Sequence, residues 1–421
     1  EGRRLIGGIL RRSPRLVAFL ERARGESVVV SSARLVSAGC ALLVAVVSAR
    51  VLGPAGRGEI VFVLTVSMLG SEFVSLGANV SGRIQILRRS GVRLDDYLGL
   101  VVVLVGFQAA LMALVLGLVG GLVIGLSPSA WGLGVLLGIA MFAAHMLVDA
   151  AFSVRRTLET GIRDLLIGLV PLLPVVVLAS FGHLTVEGVI GLTAVGYLVG
   201  GGYLATVVSR HVQRVRFSRR SWGTIIRDGL PVLGGSFGQT LAFRADRLAI
   251  ALLATSATLG VFSVSATAAE LPRLLLLPVT QILANRVAEG RIPVSGIRRI
   301  MVRIWVGYAL VLLLVALVGA PLVLAVVGDA FAEAKDTIAV LALSEALLGV
   351  YFLSVAALTG MARFRSLPAP ALAGAAVLLV GDLAVVASHG SLGAAWVRVA
   401  GFGTMAVVGL LSAVGKVRAE R

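Results

Sequence analysis

One cysteine, Cys40, in 421 residues excludes an intramolecular disulfide and any metal cluster built from thiolates. The four histidines, His145, His183, His211 and His389, lack metal-ligand spacing, so neither a metal nor another cofactor is expected. Aromatic residues make up 6% of the chain and charged residues 14%, against about a quarter charged in ordinary soluble domains. With 58% hydrophobic residues and a mean hydropathy of +1.00, that balance excludes a soluble globule and defines an all-α integral membrane protein. Acidic residues are scarce too, 21 against 38 basic, giving a net charge of +17. The basic residues are spread over short segments with no nucleic-acid module around them. Topology and anionic lipid therefore explain the charge better than nucleic acid does.

What the chain does contain is apolar runs long enough to cross a bilayer, which takes about 17–25 residues. Twelve are expected, near 28–52, 59–80, 98–124, 131–154, 165–181, 188–208, 230–254, 260–283, 304–326, 338–362, 370–388 and 394–414. The first follows an arginine-rich segment but is long and is followed by eleven more, so it reads as a retained helix rather than a leader. Basic residues resist translocation. They fill segment 1–34, the loops after the even-numbered runs and the C-terminal tail (Lys416, Arg418, Arg421), whereas the opposite face holds Arg50, Arg57 and Lys335. Both termini are accordingly expected in the cytoplasm.

A corner, Arg50-Val-Leu-Gly-Pro-Ala-Gly-Arg-Gly58, joins the first two runs, and a similar one, Leu253-Ala-Thr-Ser-Ala-Thr-Leu-Gly260, joins the seventh and eighth. The offset carrying Gly58 onto Gly260 also carries Gly188-Val-Ile-Gly191 onto Gly390-Ser-Leu-Gly393 and the basic loop 83–93 onto 285–295. This predicts a duplicated six-helix unit: a basic cytoplasmic segment 1–27, an N-lobe 28–209, a basic linker 210–228 and a C-lobe 229–421. Parallel repeats of this kind place a transporter's substrate site between the halves at mid-depth. The short loops leave no room for a soluble catalytic domain, and with no ATP-binding signature or paired loop carboxylates an enzyme is not expected.

Charges inside the spans form the candidate site, because each costs about 2.5–3.5 kcal/mol at the bilayer centre unless paired or wet. Depth along each hairpin places Arg244 level with Glu270, with Asp246, Arg247 and Arg273 within a turn or so of it. Three arginines against two carboxylates leave one positive charge in surplus. Either these residues are mutually neutralised pairs holding helices together, or their guanidinium groups face a wet cavity and bind phosphate oxygens. Arg34 and Arg50, near the two ends of the first run, are weaker candidates for the same role. Asp382 and Arg398 come level across the last hairpin and are expected to form a structural salt bridge. Glu72 and Glu345 have no level partner; each is either a residue titrating with a transported cation or paired out of sight. Asp149 is expected at the cytoplasmic interface beside Arg155 and Arg156.

Four stretches together resemble the bacterial polysaccharide (oligosaccharidyl-lipid) flippases of the multidrug/oligosaccharidyl-lipid/polysaccharide exporter superfamily. They are Arg50–Gly58; Ala245-Asp-Arg247 with Leu259-Gly-Val-Phe-Ser-Val264; Val327-Gly-Asp-Ala-Phe-Ala-Glu-Ala334; and His389-Gly-Ser-Leu-Gly-Ala-Ala395. The resemblance implies two six-helix lobes opening alternately to either side of the bacterial cytoplasmic membrane. It also implies a polyprenyl-diphosphate-linked oligosaccharide as substrate, with Arg244, Arg247 and Arg273 holding the diphosphate and Asp246 and Glu270 orienting them or titrating. Membrane lipids and polysaccharide-assembly proteins are the partners it implies. Two alternatives stay open: a cation-coupled multidrug exporter of the same superfamily, and a non-transporting scaffold of a polysaccharide-synthesis complex. A porter of the major facilitator type is disfavoured because segment 82–91 lacks its glycine–Asp–Arg loop.

Overall fold

The computed structural model describes residues 14–88, 91–361, 363 and 366–414. Residues 1–13 of the basic N-terminal segment, Arg89 and Arg365 of the basic loops, and Lys416, Arg418 and Arg421 of the tail lie outside the described residues. Among the described residues there are helices and no strands, as backbone satisfaction in lipid requires. In chain order the α-helices are α1 (Pro14–Ser75), α2 (Ala78–Leu87), α3 (Leu94–Val115, running on as a π-helical turn to Ile124), α4 (Pro128–Ser153), α5 (Thr157–Ser180) and α6 (Val186–Ser209). There follow α7 (Arg219–Leu253), α8 (Ser256–Glu270), α9 (Arg273–Ala288), α10 (Val294–Val327), α11 (Ala334–Gly360) and α12 (Pro368–Val414). Side-chain caps start four of them: Ser127, Thr185, Ser218 and Thr255 each accept from the backbone N–H three residues on.

Among the described residues eight helices are long and apolar enough to cross a membrane, or nine if α8 and α9, bent by 44°, are one broken span. Two of them are of double length, Val29–Ser75 with 47 residues and Pro368–Ala413 with 46, where one crossing needs about 20. Each is interrupted by a glycine that breaks the helical backbone, Gly53 (φ 68°, ψ −174°) and Gly390 (φ 55°, ψ −135°). Only glycine adopts these angles without strain, and Pro54 restarts the helix at once because its fixed φ suits a first turn. The expected long corner at 50–58 is therefore a one-residue break. The expected span 260–283 is likewise not one straight helix: it divides at Leu271-Pro272. Helix α7 is absent from the count, since Arg227, Asp228, Arg244, Asp246 and Arg247 interrupt its apolar face.

Two contacts tie the halves of the chain together. At the corners, a methyl group on Gly58 would stand 1.8 Å from the Ser256 carbonyl oxygen, and one on Gly260 would stand 1.9 Å from that of Pro54. Near the other end of α1, a methyl on Gly77 would stand 2.2 Å from the Gly229 carbonyl oxygen, and the Ser81 hydroxyl donates to the Ile225 carbonyl at 2.8 Å. Between these contacts lies an apolar core that runs from Ile60, Phe62 and Leu137 to Ile250, Phe262 and Leu341.

Candidate functional site

Charges from α7, α8, α9, α11 and α12 converge on Arg398, which is 1% exposed. Its guanidinium donates to Asp246 Oδ2 at 3.0 Å, to Glu270 Oε1 at 2.8 Å and to Glu345 Oε1 at 2.8 Å. Arg247 donates to the same Glu270 oxygen at 2.9 Å. Arg273 grips Glu345 with a two-pronged bond, Nε to Oε2 at 3.0 Å and Nη2 to Oε1, and lies 3.9 Å from Glu270. Glu270 ends α8 and Arg273 begins α9, so the two flank the bend, three residues apart. Arg398 also stacks over Phe402 at 4.8 Å and Arg273 over Phe243 at 5.1 Å, so the cations are bounded by ring faces. Asp246 and Glu345 are fully buried, and stranding either without its cation is costly.

Two further guanidinium groups lie beside this network and join it with no bond. Arg244, half-buried on α7, makes no hydrogen bond and no ion pair within 4.0 Å among the described residues. Arg57, 7% exposed on the second half of α1, makes none either, and its Nε is buried without a partner. Both face cavities. One, of about 700 Å³, runs from Arg34 and Asp164 past Arg57 and Tyr197 to Arg244, Glu270 and Arg273. A second, of about 260 Å³, shares Arg57, Tyr197, Arg244 and Glu270 and adds Arg247. A third, of about 310 Å³, is an apolar cleft walled by Val46, Val264, Leu271, Val323 and Val326, with Arg57 at its edge. Arg57 thus borders all three.

Of the residues singled out in the sequence, Arg244, Arg247, Arg273, Asp246, Glu270 and Glu345 are brought together. Arg34 lines the large cavity but is tied to Asp164 at 3.2 Å. Arg50 is exposed, donates to the Val326 carbonyl at 3.4 Å and lines none of the three cavities. The Asp382–Arg398 bridge does not form: Arg398 turns to the other three carboxylates, and both Asp382 oxygens are buried without a donor among the described residues. Glu345 does have partners, Arg273 and Arg398. Glu72 makes no hydrogen bond through its carboxylate among the described residues. Asp149 is buried and pairs with Arg83 at 2.8 Å instead of anchoring beside Arg155 and Arg156. Arg57 was expected on an outward loop. The signal that places it inside is Pro54, which restarts the helix early enough to put Arg57 on its first turn.

Stacked apolar helices around a cavity walled by buried charges define a multi-pass membrane protein. Its fold is shared with solved structures whose sequences are 10–17% identical to it. The chain is similar to the lipid II flippase MurJ in an inward closed conformation, with a TM-score of 0.69 and 10% identity over 93% of this chain and 87% of that one. It is also similar to an outward-facing multidrug resistance MATE family transporter of the MOP superfamily, with a TM-score of 0.63 and 15% identity over 94% of this chain and 96% of that one. A third similar structure is a MOP superfamily transporter from Pyrococcus furiosus with a binding pocket of reverse polarity, with a TM-score of 0.59 and 17% identity over 94% of this chain and 96% of that one. No family model matches the sequence, and no curated protein does.

Proposed function

We propose that the protein flips a polyprenyl-diphosphate-linked oligosaccharide from the cytoplasmic to the outer leaflet of a bacterial cytoplasmic membrane for cell-surface polysaccharide synthesis. The observation that carries this reading is the pair of uncommitted guanidinium groups, Arg57 and Arg244, in one cavity that adjoins an apolar cleft. A group with an anionic head and a long apolar tail matches that division of surface. The diphosphate meets Arg57 and Arg244, with Arg247 and Arg273 behind them and Arg34 at the far end of the large cavity. Guanidinium forks suit phosphate oxygens in a site of low dielectric. The sugars occupy the 700 Å³ cavity and the tail lies in the cleft, where each buried methylene contributes about 0.8 kcal/mol.

The topology that goes with this reading divides α1 at Gly53 and α12 at Gly390, takes α8 and α9 as one broken span and adds α7, making twelve crossings with both termini cytoplasmic. Residues 28–209 and 229–421 are then two lobes that rock about the cavity, with 1–27 and 210–228 as basic cytoplasmic segments.

The test is flipping of a fluorescent polyprenyl-diphosphate oligosaccharide in proteoliposomes. Wild type flips it, and Arg57→Ala and Arg244→Ala lose flipping while staying folded. Export of cationic drugs without flipping would replace this reading by a multidrug exporter. Export that survives loss of both arginines in cells would leave a scaffold.

A further inference from the structure

We propose that Asp382 is a proton-binding site and that its proton strengthens anion binding in the adjoining cavity; the second half of this inference rests on the anionic head group proposed above. Asp382 sits in the first half of α12, 1% exposed, and neither of its oxygens receives a hydrogen bond among the described residues. An ionised carboxylate in that position loses its water and gains no donor, which is far costlier than burying the neutral acid. Its nearest charges are Asp246 on α7, which repels a second negative charge, and Arg398 on the second half of α12, whose donors point to Asp246, Glu270 and Glu345. The neutral acid is the form this arrangement accommodates.

The charge of the cavity wall then depends on one proton. Arg57 on α1, Arg244 and Arg247 on α7, Arg273 on α9 and Arg398 on α12 supply five positive charges; Asp246, Glu270 on α8 and Glu345 on α11 supply three negative ones. With Asp382 carrying its proton, the wall has two positive charges in surplus, carried by the unpaired Arg57 and Arg244. Release of that proton to water adds a carboxylate that competes with Asp246 for Arg398, and the surplus falls to one. A proton on Asp382 and an anion in the cavity therefore favour one another, and by linkage the effect is mutual. No other bond is made or broken: an O–H bond forms on the Asp382 carboxyl, its proton coming from water.

Two measurements on the full-length protein in lipid test this. Infrared difference spectra without any substrate should show, at neutral pH, a carboxylic-acid C=O band that shifts in heavy water and is lost in Asp382→Asn. An unchanged band in a folded Asp382→Asn variant overturns the proton site, whatever the protein transports. Binding of inorganic diphosphate is then followed against pH in wild type, with proton uptake read by an indicator dye in weak buffer. Above the pH at which the substrate-free carboxyl loses its proton, affinity should fall with rising pH, by up to about tenfold per pH unit at its steepest, with up to one proton taken up per diphosphate bound. In Asp382→Asn, which fixes the neutral form, that slope should flatten. Binding in wild type with no pH slope and no uptake overturns the linkage. If inorganic diphosphate does not bind at any pH, the anionic-head-group reading fails and the linkage falls with it, while the infrared result still decides the proton site.

Discussion

Gly58 and Gly260 make reciprocal contacts: Gly58 abuts the carbonyl of Ser256, and Gly260 abuts the carbonyl of Pro54. The offset that relates the two glycines also relates Pro54 to Ser256, so one contact is made twice about a local pseudo-two-fold, as in an isologous interface. No side chain fits at either point. Gly58→Ala or Gly260→Ala should push the two corners apart, since the neighbour is backbone and cannot rotate away. Spin labels on the exposed Ala55 and Thr255 should report a longer mean distance in either variant than in wild type. An unchanged distribution would mean that the contact does not hold the corners together.

Arg398 is the only cation bonded to Asp246 among the described residues, and it is shared with Glu270 and Glu345. Arg398→Leu leaves the buried Asp246 carboxylate without a counter-ion, a loss of about 3–5 kcal/mol. A large drop in the thermal midpoint in detergent is expected, partly restored by adding Asp246→Asn, because the two residues interact and their effects should not add. Full additivity of the two changes would rule out the bond as the source of the loss.

Hairpin depth in the sequence was enough to bring Asp246, Arg247, Glu270 and Arg273 to one level, and they do share one network. Depth, however, fixes height along the membrane normal and says nothing of the direction in which a side chain points around its helix. That is why Asp382 and Arg398, expected level across the last hairpin, do not bond: Arg398 turns to three other carboxylates and leaves Asp382 without a donor among the described residues. Glu345 looked alone for a related reason: its arginines come from α9 and α12, remote in sequence from α11. Arg57 was misplaced because a Gly-Pro corner reads as a loop several residues long, whereas Gly53 alone makes the break. The resemblance of Arg50–Gly58 and Ala245–Arg247 to the flippases pointed to a fold that the chain shares with the solved MurJ and MATE structures.

Arg57 and Arg244 have no bond to lose, so replacing them should separate function from stability. Arg57→Ala and Arg244→Ala should each keep the thermal midpoint of wild type within a degree or two while weakening diphosphate binding about tenfold to a hundredfold. That range follows from about 1.5–3 kcal/mol for one hydrogen bond to a charged group. Arg273→Ala should lower both quantities, because it also removes the two-pronged bond to the buried Glu345 and leaves that carboxylate with Arg398 alone. Equal stability losses in all three variants would show the free arginines to be structural after all.

The apolar cleft between α1, α8 and α10 offers a way to test the tail separately from the head. Val323 lines the cleft and is absent from the linings of the two charged cavities. Val323→Trp puts an indole into the space assigned to the tail and leaves Arg57 and Arg244 in place. Excluding as few as two methylenes costs about 1.6 kcal/mol, which is more than a tenfold loss of affinity. Titration calorimetry should therefore show polyprenyl diphosphate binding weakened at least tenfold in Val323→Trp, with inorganic diphosphate binding unchanged within about twofold. If both ligands weaken together, the indole has disturbed the helices and the cleft is not a separate tail site. If neither weakens, the tail lies elsewhere along the lipid face and the cleft has no part in binding it.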